Sequence, residues 1–162
     1  KSVAVRVAAH SKELMVTVVA AHDRDKRLRT ATKAAMAEAP ETTSFHFNVH
    51  DADDGYVFGP STRTLTGASR LRDDVGGCTH LMSPTAFFQT NVQAAELLVA
   101  LVLEAMPAAP ARVLDLYAGA GLFSIPLAKA GHHVVAVESH RQAVEDALAL
   151  MVRERLTGLA PP

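Results

Sequence analysis

The sequence predicts an α/β fold in which a small α+β region, residues 1–82, precedes a parallel-sheet region, residues 83–162. Two observations predict this division. The first half is built of short β-branched and alternating apolar runs broken by Gly and Pro, the signature of antiparallel strands. The second half repeats helix, strand, glycine turn, helix, strand and helix, which is the order of a parallel sheet with crossover helices. Composition agrees: 49% of the residues are hydrophobic but only 5% aromatic, with no Trp, so the core must be largely Ala, Val and Leu.

The apolar runs Val3 to Ala8 and Leu14 to Ala20 flank a polar link at His10-Ser11-Lys12 and predict an antiparallel hairpin. Asp25 to Ala39 holds helix formers and no Gly before Pro40, which predicts a surface helix carrying Lys26, Arg27, Arg29 and Lys33. In the strand Ser44 to Val49, Phe45 and Phe47 alternate with His46 and Asn48, placing both rings on one face. Asp51 to Gly55 is a turn, and Tyr56 to Met82 reads as small antiparallel strands separated at Gly59-Pro60, Gly67 and Gly76-Gly77.

Asn91 to Met106 is a helix whose only charges are Glu96 and Glu104. Leu97, Leu98, Leu101, Val102 and Leu103 cover most of its circumference and predict burial on more than one side. After Pro107 and Pro110 come a strand from Arg112 to Leu116, a glycine turn from Tyr117 to Gly121 and a helix from Leu122 to Ala130. A strand from His133 to Glu138 and a helix from Ser139 to Leu156 follow. Strand, helix and strand in this order predict a right-handed unit with parallel strands.

Charge and cysteine content exclude several functions. Net charge is -1 with eight His, so the chain lacks the basic field of a self-sufficient nucleic-acid binder. A single cysteine, Cys78, excludes an internal disulfide and any all-cysteine metal or iron–sulfur site, and no metal site is expected. Neither a signal-peptide region nor a bilayer-length apolar run is present, which predicts a cytoplasmic chain without a membrane partner. The first residue is Lys1, as expected of a trimmed or processed chain or a fragment.

The chemistry concentrates in Val113 to Ser124 and in Val134 to Glu138. A glycine turn after a buried strand lets a ligand approach the backbone and aims helix N–H groups at it. An acid at the tip of the next strand is placed to accept hydrogen bonds from the two ribose hydroxyls of an adenosine. Glu138 lies 23 positions after Asp115, the interval a strand–turn–helix–strand unit imposes. A dinucleotide fingerprint requires Gly or Ala where Ser124 stands.

Asp-Leu-Tyr-Ala-Gly-Ala-Gly (115–121) resembles instead the first motif of S-adenosylmethionine-dependent methyltransferases. Preceded by Ser83-Pro-Thr-Ala-Phe-Phe-Gln-Thr-Asn91, it is similar to the tRNA and 23S rRNA (uracil-5-)-methyltransferases, specifically from Ser83 to Glu138 and more loosely back to Val3. The resemblance implies a partial Rossmann-like methyltransferase sheet, S-adenosylmethionine as cofactor and tRNA or rRNA as partner. It further implies that Gln89, Asp115, Tyr117, Gly119, Gly121 and Glu138 form the cofactor site. Read without it, Gln89 is a helix-entry residue capping Asn91 and its neighbours, and Tyr117 packs at the sheet edge.

Carbon-5 methylation of uracil needs a thiolate to add at carbon 6 and a base to remove the carbon-5 proton. In the family the Cys nucleophile, the Glu base and an Asp-Pro-Pro-Arg segment lie well after the second sheet strand, so the resemblance implies a cofactor-binding portion with no catalytic residue. Cys78, in Gly-Gly-Cys-Thr-His, lies on the wrong side of the motif and is expected to be structural, with His80 on the same strand face. The Leu122 position lacks an Asn that some members carry, and the last helix lacks their Asn-Ala-x-x-Asn-Gly-like end. Two parallel strands leave an apolar sheet edge, which is expected to associate with another copy or with a missing C-terminal portion. Two other functions remain open: a non-catalytic RNA- or partner-binding module using the basic helix, and a nicotinamide-dependent oxidoreductase.

Overall fold

The structure, a computed structural model, describes residues 2–22 and 28–154. The expected helix start at Asp25, its basic residues Lys26 and Arg27, and the expected final-helix end at Leu156 lie outside these residues. Two units are formed, Lys1–Leu71 and Arg72–Pro162.

In the first unit the hairpin forms as its β-branched runs predict. β1 (Ser2–Val7) pairs antiparallel with β2 (Leu14–Ala20), with Val3 opposite Val18 and Val5 opposite Val16. Helix α1 (Leu28–Glu38) carries the chain back, so β3 (Thr42–Val49) runs parallel to β2. Antiparallel β4 (Ser61–Gly67) completes the order β1-β2-β3-β4, and α1 packs on β3 and β4.

Alternation along β3 separates its two faces, but the polar face is the deeper one, with His46 and Asn48 fully buried. Hydrogen bonds make that burial affordable. The His46 ring nitrogens meet Ser44 Oγ at 3.1 Å and Thr64 Oγ1 at 3.3 Å. Asn48 donates through Nδ2 to the Gly59 carbonyl and to Thr62 Oγ1, and its Oδ1 accepts the Gly59 N–H at 2.8 Å. Position 59 must be glycine, because a Cβ there would lie 2.0 Å from the Val49 carbonyl oxygen.

The second unit begins earlier than the expected change at Ser83. Its first hairpin, β5 (Leu71–Val75) and β6 (Cys78–Met82), turns through Gly76 and Gly77, both at positive φ as a two-residue hairpin turn demands. Val75 shares a core cluster with Ala95, Val99 and Leu122, and Cys78 shares another with Ile125 and Leu150. Those shared cores tie the hairpin to the helices that follow it.

Helix α2 (Val92–Ala105) is capped by Asn91, whose side chain accepts the Ala94 N–H at 3.0 Å. β7 (Arg112–Leu116) and β8 (His133–Val137) are parallel, with Leu114 opposite Val135 and Leu116 opposite Val137. Helix α3 (Ser124–Lys129) packs on β8, and α4 (Arg141–Glu154) packs on β6.

One expectation is corrected here. Only Ala95 and Val99 of α2 are buried, whereas Leu97, Leu98 and Leu101 are 61%, 45% and 51% exposed. The cluster with Val75 and Leu122 covers one side of the helix, and the described residues provide no second layer. The sheet shows the same one-sidedness: Val134 is fully buried, while Leu114, Leu116, Val135 and Val137, which line the other face of the strand pair, are exposed.

Candidate functional site

The glycine turn leaves β7 through a run of left-handed residues. Tyr117 (φ 61°), Gly119 (φ 58°) and Gly121 (φ 87°) all have positive φ, alternating with Ala118 and Ala120. The Ala118 N–H donates to the Val137 carbonyl at 3.1 Å, which keeps the turn against the end of β8. Tyr117 is a non-glycine residue held in a region that costs about 1–2 kcal/mol, a strain that collects at functional sites. Its ring is 90% exposed rather than packed at the sheet edge.

The two glycines of the turn differ in surroundings. A Cβ at Gly121 would lie 2.7 Å from Ile125 Cδ1 and 3.7 Å from the Ala147 Cβ, so that glycine is needed for the turn to close on α3 and α4. A Cβ at Gly119 would meet nothing within 4 Å. Position 119 thus leaves the backbone uncovered by other protein atoms, and position 121 shapes the turn that does so.

Glu138, at the tip of β8, is joined to this bend. Its Oε2 accepts the Gly119 N–H at 2.8 Å and its Oε1 accepts the His140 N–H at 2.7 Å. Desolvation would raise its carboxyl, but N–H groups of His140, Gly119 and Ser139 and the charge of the His140 ring together hold it below the usual 4.5. The two carboxylate oxygens together offer about four lone-pair sites, more than these N–H groups use. The group therefore stays ionised and fixed in place, with acceptor capacity left over.

Asp115, at the end of β7, accepts the Ser124 hydroxyl on Oδ2 at 2.5 Å, which fixes the acid against the start of α3. Gln89 is exposed and does not cap α2, a role taken by Asn91. The segment carrying it is anchored beside the turn. Phe88 packs on the cluster containing Leu122, and its ring lies 5.4 Å from that of buried His80. The Phe-Phe-Gln segment and the glycine turn thus share one hydrophobic seat.

Cys78 and His80 do lie on one strand face, and both are buried, so neither is presented to a substrate. No local spacing signals His80 as the partner of Phe88, Ser124 as the partner of Asp115, or the His140 N–H on Glu138. Ser124 stands where a dinucleotide fingerprint requires Gly or Ala, and its hydroxyl donates to Asp115. Among the described residues no cluster of His, Cys, Asp or Glu is suited to a metal, and no helix is long and apolar enough to cross a membrane.

Residues 72–159 match the family model described as tRNA (Uracil-5-)-methyltransferase. An uncharacterized RNA methyltransferase of Gloeobacter violaceus is 32% identical over 143 residues, covering 88% of this chain and 31% of that protein. Another, of Streptococcus agalactiae serotype V, is 27% identical over 97% of this chain and 35% of its own length. The chain therefore spans about a third of the length of these curated relatives. Among solved structures, the Pyrococcus abyssi tRNA (uracil-54, C5)-methyltransferase in complex with S-adenosyl-L-homocysteine superposes with TM-score 0.77 at 24% identity. That match covers 98% of this chain and 38% of the other. The M. jannaschii tRNA m1G37 methyltransferase superposes with TM-score 0.57 at 15% identity, over 98% and 45%. Both likenesses show the fold, a methyltransferase α/β sheet preceded by a small α+β region.

Proposed function

The chain belongs to the tRNA (uracil-5-)-methyltransferase family, and from that premise we propose that residues 83–138 form the S-adenosylmethionine site of an RNA methyltransferase. The observation that carries this reading is the hydrogen bond from the Gly119 N–H to Glu138, which fixes an ionised acceptor beside an open stretch of backbone. In this site Glu138 accepts the two ribose hydroxyls of the cofactor, and Gly119 leaves room for its methionyl portion. Asp115, Tyr117 and Gln89 are assigned to the same site, and Gly121 holds the turn in shape. The cofactor supplies the methyl group, and the proposed acceptor is carbon 5 of a uracil in tRNA or ribosomal RNA, in a cytoplasmic setting.

Cys78 is the one cysteine in the sequence and is buried, so this chain presents no thiolate to a flipped uracil. It is accordingly a cofactor-binding portion, and labelled methyl transfer to RNA by the chain alone is expected to be undetectable. The open face of Leu114, Leu116, Val135 and Val137 is assigned to association, with another copy or with a C-terminal portion. Calorimetry tests the site. S-adenosylhomocysteine should bind, and Glu138→Ala should weaken binding at least tenfold, since hydrogen bonds to a charged group contribute about 1.5–3 kcal/mol each. Absence of heat from the unsubstituted chain at about 1 mM ligand, far above the affinity a cofactor site requires, would remove the proposal.

A further inference from the structure

Asp146 lies on α4, fully buried, and has no part in the site as described so far. Both of its carboxyl oxygens are turned onto one residue. Oδ2 accepts the Ser83 N–H and Oδ1 accepts the Ser83 hydroxyl, each at 2.6 Å. Ser83 is the root of the Phe-Phe-Gln segment, directly after β6. From there the Ser83 carbonyl accepts the Ala86 N–H, Ala86 is fully buried, Phe88 enters the core cluster, and Asn91 caps α2. Between these fixed points Phe87 and Gln89 are left exposed.

Helix α4 begins at Arg141, immediately after the corner in which the His140 N–H holds Glu138. A single helix therefore carries the corner that fixes the ribose acid and the residue that fixes the root of the Gln89 segment. We propose that Asp146 is a positioning residue that holds the segment bearing Gln89 in register with Glu138. This role rests on the cofactor reading for its ligand but not for its geometry. A buried pair of short hydrogen bonds across 63 residues of sequence is costly to leave half made, so the segment follows Asp146 rather than solvent.

Two measurements on the 162-residue chain separate the role from general stability. In amide hydrogen exchange, Asp146→Ala should speed exchange across residues 85–90 at least tenfold while leaving β7 and the Gly119 amide unchanged. Asp146→Asn should restore protection, since its amide oxygen can accept the Ser83 N–H and its NH₂ can donate to the hydroxyl. Uniform loosening of the whole unit, or no change at 85–90, would overturn the role. In calorimetry with S-adenosylhomocysteine, Asp146→Ala and Gln89→Ala should each weaken binding about three- to tenfold, the size of one neutral hydrogen bond. The double variant should be no weaker than Gln89→Ala alone; independent, additive losses would show that Asp146 does not act through Gln89. If Asp146→Ala fails to fold, Ser83→Ala, which deletes the hydroxyl bond alone, takes its place with the same expected pattern. A chain that binds no cofactor but shows the exchange pattern would refute the functional reading and keep the positioning role.

Discussion

At the scale of single residues, the site is set by where side chains are absent as much as by where they are present. Gly119 and Gly121 both adopt positive φ, yet only one of them faces open space. Alanine at either position meets the left-handed cost of about 1 kcal/mol. At 121 it also drives a methyl into Ile125, so Gly121→Ala should lower unfolding stability by about 2–4 kcal/mol in urea denaturation. At 119 the added methyl meets no protein atom, and Gly119→Ala should cost only about 1 kcal/mol in the same measurement while weakening S-adenosylhomocysteine binding more than Gly121→Ala does among molecules that remain folded. Equal stability losses at the two positions would contradict the different surroundings assigned to them. The glycine pattern was legible in the sequence because positive φ restricts those positions to few residue types, and Glu138 was placed at a strand tip by its interval from Asp115. Ser83–Asp146 and His80–Phe88 were not, because those pairings are tertiary and leave no local spacing to read.

At the scale of elements, periodicity located strands and helices but misjudged how α2 is buried. Its leucines are distributed around the helix, and a circumferential apolar pattern ordinarily means burial on more than one side. Pattern records what a helix is suited to touch, however, and not which partners this stretch of chain supplies. In the structure Val99 presses into the cluster with Val75 and Leu122, close enough that a Cβ on Gly76 would lie 2.8 Å from its Cγ1. Leu97 and Leu101 point away from that cluster and are exposed. Val99→Ala should therefore destabilise by about 2 kcal/mol, the value of two lost methyl groups in a core. Leu97→Gln and Leu101→Gln should stay within about 0.5 kcal/mol. Thermal unfolding of the three variants distinguishes the faces, and comparable losses at all three would mean that the leucines are covered in solution. The hairpin β5–β6 carries the same lesson. Its strands were legible from Gly76-Gly77 and the flanking alternation, but its allegiance to the second unit was not, since that depends on Val75 and Cys78 meeting residues far along the chain.

At the scale of the whole molecule, each unit contains a buried histidine held neutral, His46 in the first and His80 in the second. Burial lowers both from 6.5 to about 4. Around His80, the backbone of Val75 raises the value, Lys129 lowers it, and the backbone of Ala120 and the Asp73 carboxylate raise it, all by smaller amounts. The backbone of Val75 and Ala120 lies near its ring, but neither ring nitrogen closes a hydrogen bond. Because the folded values are depressed, the unfolded chain takes up a proton at each ring before the folded chain does. The stability that each neutral ring contributes is complete above pH 6.5 and declines as the pH falls toward 4, by up to about 3 kcal/mol per histidine. Glu138 acts in the same direction at lower pH, since its folded value is also depressed and its contribution is lost as the pH falls below 4.5. Urea unfolding at pH 7.5 and pH 5 should therefore show a lower midpoint at pH 5. His80→Phe should reduce that difference for the second unit, because phenylalanine keeps the ring contact with Phe88, abandons no hydrogen bond and cannot take up a proton. A midpoint independent of pH over this range, or an undiminished difference in His80→Phe, would show that protonation of the buried rings does not govern the acid sensitivity of the chain.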